Sequence, residues 1–123
     1  MDRKLEVKRD LLTRSDDYMG PATVGVFREH GAYVIEDLSD LTRSGAVETM
    51  VERAGHVDIL VANLSAPANL GKIGHTMDDE TWQIMFDVMV HTLHRLCRAV
   101  LPQMSNPDIS READNDDVSA EVL

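Results

Sequence analysis

The stretch Thr13 to Gly20, "TRSDDYMG", gathers the densest set of potentially reactive side chains in the sequence. It follows the apolar run "LLT" and opens a helix-like segment. A loop in that place often cradles a nucleotide phosphate, which needs free backbone amides and glycines that permit close approach. Here only Gly20 remains, at the end, while Arg14, Asp16, Asp17 and Tyr18 fill the loop. Side chains at 14 and 18 block a phosphate and the aspartates repel it, so no dinucleotide is expected to bind. A second group is His91, His94 and Cys97, at three-residue steps on one helix, a spacing able to present metal ligands. No fourth ligand or supporting carboxylate stands near them. They read as histidines facing solvent or another subunit and a thiol packed as a small apolar group, and no metal is expected. Asn63 reads as a loop-shaping residue through its side-chain hydrogen bonds. Asp37 or Asp40 could hold a ribose hydroxyl beside a glycine loop; without one, capping or solvent exposure is expected.

The elements that must position these residues alternate. "DLLT" (Asp10 to Thr13) is a short strand candidate. Asp10 stands where a central strand should begin, and an unpaired buried carboxylate is costly, so the strand is expected to start later or be weakened. Gly20 to His30 reads as a helix with Pro21 in its first turn and Gly31 past its end. Ala32 to Asp37 is a strand candidate. Thr42 is a candidate cap for a helix whose Val47, Met50, Val51 and Ala54 share one face, with Gly55 as its stop. Val57 to Asn63, "VDILVAN", is nearly continuous apolar sequence, as in a parallel strand covered on both faces. After a loop rich in Ala, Pro, Asn and Gly, Thr76 and Asp79 form a T-x-x-D capping box. One long helix is expected from Met77 to Met104. Trp82, Met85, Met89, Leu93, Leu96 and Val100 form one apolar row, and Phe86, Val90, Cys97 and Leu101 a second. One row suffices for packing on a sheet, so two predict a homo-oligomer through this helix. The order β-α-β-α-β-α favours a parallel sheet with right-handed crossovers, stopping at about three βα units, half of a doubly wound Rossmann-like fold.

Composition narrows the function. The chain has 123 residues, 43% hydrophobic content and a formal net charge of −10. That is one small domain at most, and the charge argues against nucleic acid and anionic membranes as partners. The single cysteine, Cys97, excludes an internal disulfide and suits a reducing cytoplasm. The charged N-terminus holds no signal-peptide core, and no apolar run approaches the roughly 20 residues that span a bilayer. From Ser105 onward six carboxylates face one arginine, Arg111. Residues 105–123 therefore read as a disordered acidic tail, with room for a short frayed helix near Val118 to Leu123, beside a folded unit over residues 1–104.

"GHVDILVANLSAP" and then "WQIMFDVMVHTLHRLCRAVLPQM" resemble the middle of the short-chain dehydrogenase/reductase superfamily, and the resemblance runs from about Leu5 to Met104. The family's nucleotide loop is T-G-x-x-x-G-x-G. Thr13 and Gly20 match it, while Arg14 and Tyr18 replace two glycines. "AYVIED" leads almost directly to "LSDLT", without the helix and strand that usually shape the adenosine pocket. Met89 replaces the asparagine that usually kinks the long helix. These departures resemble the halohydrin dehalogenase branch, which keeps the fold and replaces the nucleotide site with a halide pocket. That resemblance implies a substrate or halide pocket at Tyr18, Met19 and Asn63, a halohydrin or epoxide as partner, and no cofactor. It also implies a Ser, Tyr, Arg triad on the strand and helix after Met104, where this sequence enters its tail. No catalytic residue is therefore assigned. The chain resembles the N-terminal half of such an enzyme with an unrelated end, as a truncation or frameshift gives, and is expected to be silent alone, with Val57 to Val61 left as an open sheet edge. The alternatives are a nicotinamide-dependent oxidoreductase with a degenerate loop, and a non-catalytic module that pairs with a full-length relative.

Overall fold

The computed structural model describes residues 3–65, 74–104 and 121–122. Strands β1 (Arg9–Thr13), β2 (Tyr33–Asp37), β3 (Ile59–Val61) and β4 (Glu121–Val122) form one parallel sheet in the order β2-β1-β3-β4. Helices α1 (Gly20–Glu29) and α2 (Ala46–Ala54) follow β1 and β2. Helix α3 (Asp79–Phe86), a π-helical turn (Asp87–His91) and α4 (Thr92–Met104) run on without a break. This is the expected Rossmann-like α/β arrangement.

Strand alternation builds a core on each side of the sheet. Leu11 and Leu60 face one way, onto Val47 and Met50 of α2 and Leu96 and Val100 of α4. Leu12, Val34 and Ile59 face the other, onto Val24 and Phe27 of α1. Leu11, Leu12 and Leu60 are fully buried. At about 25 cal/mol per Å² of apolar surface, each such leucine contributes roughly 2 kcal/mol of burial. Arg9 fastens the lower end of the sheet: its amide donates to Asp58 Oδ2 at 2.8 Å and its guanidinium to the carbonyls of His56 and Ala54. The Ala54 carbonyl ends α2, where a cation is favoured, and His56 lies just beyond it.

Several local expectations are corrected. β1 begins at Arg9, and Asp10 lies inside it, fully buried. Pairing with Val34 on one side and Ile59 on the other holds the carboxylate in the layer despite its cost. Thr42 does not cap α2. It donates its amide and hydroxyl to Asp40, while α2 starts behind Gly45 at φ 76°. Asp78, not Thr76, caps α3, accepting the Thr81 amide at 2.7 Å. The long helix is continuous but not uniform, because the Thr92 amide reaches back five residues to the Asp87 carbonyl. The Thr92 hydroxyl donates to the same carbonyl at 2.7 Å. The wider turn shifts the helix face. Thr92, Leu96, Val100 and Met104, at four-residue steps, are buried, whereas Trp82, Met89, Val90 and Leu93 stand exposed. The two expected apolar rows are therefore mixed. Finally, the β3 edge is not open: Ile59 and Leu60 pair with Glu121 and Val122. A helix there is excluded for these two residues. The expected disorder of residues 105–120 lies outside the described residues, as does the loop at 66–73.

Candidate functional site

A cavity of about 680 Å³ lies at the C-terminal ends of β1, β2 and β3. The strand order reverses between β1 and β3, and open α/β sheets bind ligands outside the strand ends at such a switch point. The loop after β1 supplies Arg14, Asp17 and Tyr18; the loop after β2 supplies Asp40, Leu41 and Thr42; the loop after β3 supplies Leu64 and Ser65. The helical side adds Ile84, Asp87, Val88 and Thr92, so the π-helical turn forms one wall. π-turns inside helices are frequent at functional sites.

The loop after β1 explains how this wall is held. Arg14 and Tyr18 have φ of 48° and 52°, left-handed values that favour glycine. Both sit where two glycines of the resembled loop would stand. Gly20 is indispensable, since a Cβ there would meet the Ser15 carbonyl oxygen at 2.5 Å. Asn63 staples the loop from β3: its Nδ2 donates to the Arg14 carbonyl at 2.9 Å and the Asp17 carbonyl at 2.8 Å. Thr13 returns the tie, its hydroxyl donating to the Asn63 carbonyl at 3.0 Å. The Ser65 hydroxyl donates to Asp17 Oδ2 at 2.7 Å, and Arg14 Nη2 stands 3.7 Å from the same oxygen. An Arg–Asp–Ser cluster thus lies at the mouth of the cavity.

Tyr18 lines the cavity but is 74% exposed. Met19 is exposed and is not among the lining residues, while Asn63 acts on the loop from behind. The structure therefore brings Tyr18 and Asn63 to one loop through different roles. Asp37 is buried and engaged, accepting from Arg53 at 2.6 Å and from the Ser39 hydroxyl at 2.7 Å. Asp40 lines the cavity, and its hydrogen bonds from Thr42 hold its carboxyl below the usual range. Asp87 is likewise held low, first by the His91 hydrogen bond at 2.9 Å and then by Gln83. His94 and Cys97 lie instead along a shallow groove with Arg98 and Leu101. Among the described residues, no three His, Cys, Asp or Glu side chains converge as metal ligands. No helix among them is long and apolar enough to cross a membrane. Sequence reasoning missed Ser65 and Asp87 as cavity residues. The polar Ser65 two residues after Asn63 was a readable signal; Asp87 depends on the π-turn and was not.

The comparisons agree with this architecture. No curated protein matches the chain in sequence. The fold matches L-sorbose reductase from Gluconobacter frateurii, solved with NADPH and L-sorbose, at TM-score 0.72 and 24% identity over 85% of this chain and 50% of that one. It also matches 3-ketoacyl-(acyl-carrier-protein) reductase from Brucella melitensis, solved with NADH, at TM-score 0.73 and 19% identity over 97% and 57%. An NADH-dependent reductase of alginate metabolism, A1-R', matches at TM-score 0.65 and 19% identity over 97% and 58%. The chain therefore spans about half the length of these solved structures. A family model described as short chain dehydrogenase matches residues 27–112, more than half of the sequence, starting just after the altered loop. With its parallel sheet, its switch-point cavity and this match, the chain belongs to the short chain dehydrogenase family.

Proposed function

We propose that the cavity takes a small neutral molecule of the halohydrin or epoxide class in place of a dinucleotide, and that this chain alone does not turn it over. The observation that carries this reading is the pair Arg14 and Tyr18 at φ 48° and 52°. The backbone keeps the turns for which the family uses glycine, yet each turn now carries a side chain where a pyrophosphate would lie. The lining adds three carboxylates, Asp17, Asp40 and Asp87, against one guanidinium, Arg14. Such a wall repels a pyrophosphate, so the cradle as it stands does not fit the cofactor of the family. A neutral halohydrin meets no such repulsion, and Asp17, Thr42 and Ser65 offer partners to its hydroxyl. In the dehalogenase branch a tyrosine takes that hydroxyl proton with help from an arginine. Neither Tyr18 nor Tyr33 has Arg or Lys four residues on, so turnover is not expected of these residues alone.

A nicotinamide-dependent oxidoreductase is the second reading. It is favoured by the retained Gly20 and by the NADPH and NADH in the matched structures. Calorimetric titration separates the two. The parent should bind NAD and NADP no tighter than about 1 mM, about −4 kcal/mol. An Arg14→Gly, Tyr18→Gly double variant should gain at least about tenfold, or about 1.4 kcal/mol. Tight binding by the parent would move the conclusion to the second reading. Halide release from a vicinal chloro-alcohol by the purified chain would overturn the expected silence.

We further propose that a second copy of the chain covers the exposed apolar side of α3, the π-turn and α4. Trp82 and Val90 are about half exposed there, an unusual density of large apolar groups for free surface.

A further inference from the structure

Asp10 is fully buried on the central strand, and among the described residues it is the only carboxylate with both oxygens buried and without a hydrogen-bond partner. Its neighbours across the sheet are Val34 and Ile59, and Leu12 lies two residues along the same face. Helix α1 closes this layer with Val24 and Phe27, and the N-terminal segment adds Leu5. Several charged groups on the packed elements are engaged with one another. Arg28 pairs with Glu36 at 2.9 Å, Arg3 with Glu6 at 3.8 Å, and Asp58 with His56 at 2.8 Å. Lys8 acts on Asp58. Neither these groups nor Glu29 and His30 at the end of α1 shift Asp10, which responds to burial alone.

We infer that Asp10 is a pH-sensitive lock on the central strand: as the neutral acid it sits within the apolar layer under α1, and on losing its proton it forces that layer to open. An ionised carboxylate without a partner cannot be accommodated there without water or structural yielding. Burial pushes the Asp10 carboxyl up to about 7 from an ordinary 3.8. The folded state thus keeps a proton that the unfolded chain has released between those two values. The stabilisation is complete below the unfolded value and is lost as pH rises through about 7. Because β1 leads directly into Arg14, opening of the layer also loosens the wall of the cavity.

Urea unfolding of the whole chain at about pH 5 and about pH 8 tests this, with Asp10→Asn and Asp10→Val beside the parent. The folding constant of the parent should fall about a hundredfold more than that of either variant, roughly 2.7 kcal/mol. The comparison cancels the general repulsion of an acidic protein, which the variants share. A carbon-13 titration of the Asp10 carboxyl in the folded parent provides an independent reading and decides the matter if neither variant folds. A midpoint near neutrality supports the lock. A midpoint in the ordinary carboxylate range, or an equal pH slope in parent and Asp10→Asn, would overturn it.

Discussion

Asn63 shows how much one side chain controls at the cavity. Its two donors satisfy the carbonyls of Arg14 and Asp17, the residues that bound the altered turn. Replacing it by Leu keeps the volume and removes one donor from each carbonyl, leaving them only the turn's own amides of Asp17 and Gly20. Two lost hydrogen bonds of roughly 0.5–1 kcal/mol each mean that Asn63→Leu should cost about 1–2 kcal/mol in urea unfolding. Asn63→Asp should cost at least as much, since it offers no donor and adds charge beside Asp17. A loss below about 0.5 kcal/mol would mean that the loop holds itself. Val7 makes the opposite case. It has φ 62° and is 87% exposed, so a β-branched residue occupies a left-handed turn with no burial in return. Val7→Gly should stabilise the chain by about 1 kcal/mol, seen as a higher unfolding midpoint. The loop's chemistry was legible at this scale because Arg14, Asp16, Asp17 and Tyr18 fall within one stretch of five residues. The burial of Asp10 was not, because it follows from strands that are distant in sequence and hold it in register between Val34 and Ile59.

Among the elements, the π-turn decides which side chains reach the cavity and which reach solvent. Its hydrogen bond from the Thr92 amide is reinforced by the Thr92 hydroxyl on the same Asp87 carbonyl, with Thr92 buried. Thr92→Val preserves shape and removes that donor. Faster hydrogen exchange at the amides of residues 87–92 is expected, with a stability loss of about 1–2 kcal/mol. Unchanged exchange would show that packing alone sets the turn. This element also marks the limit of local sequence patterns. The start of α1 and the stops of α1 and α2 were readable, because Pro21, Gly31 and Gly55 impose them through backbone geometry, whereas the start of α2 behind Gly45 was not. The strands were readable from apolar runs. A π-turn has no such punctuation: the sequence "DVMVH" fits an ordinary helix, and the extra residue is absorbed only where α3 meets the cavity and α4 meets the sheet. The two apolar rows derived from a uniform helix are consequently each split between exposed positions and buried or half-buried ones. The T-x-x-D capping box failed for a related reason, since Asp78 two residues on is a capping residue of similar strength.

For the whole molecule, two surfaces decide whether the fold stays soluble as a single chain. The first is the α3–α4 side, where Val90→Lys with Leu93→Lys should convert a concentration-dependent dimer into a monomer in sedimentation at tens of micromolar. A monomeric, well-folded parent would refute the proposed pairing. The second is the edge of β3. An unpaired strand of Ile59, Leu60 and Val61 offers a template for further strands, and among the described residues the two of β4 pair with it on this side. A two-residue ladder gains little from its own hydrogen bonds and holds chiefly because it adds to an existing sheet. The formal net charge of −10 opposes association by repulsion, so the edge and the charge act against each other. Ending the chain after Ala120 removes β4, and Val122→Pro removes a backbone donor from it. Both changes should be made in the lysine background, so that helix pairing does not mask the result. Each should then shorten the lag of aggregation on mild heating severalfold, and added salt should shorten it further by screening the charge. If the shortened chain and its parent aggregate alike, β4 does not guard the edge, and the solubility of the fold rests on charge alone.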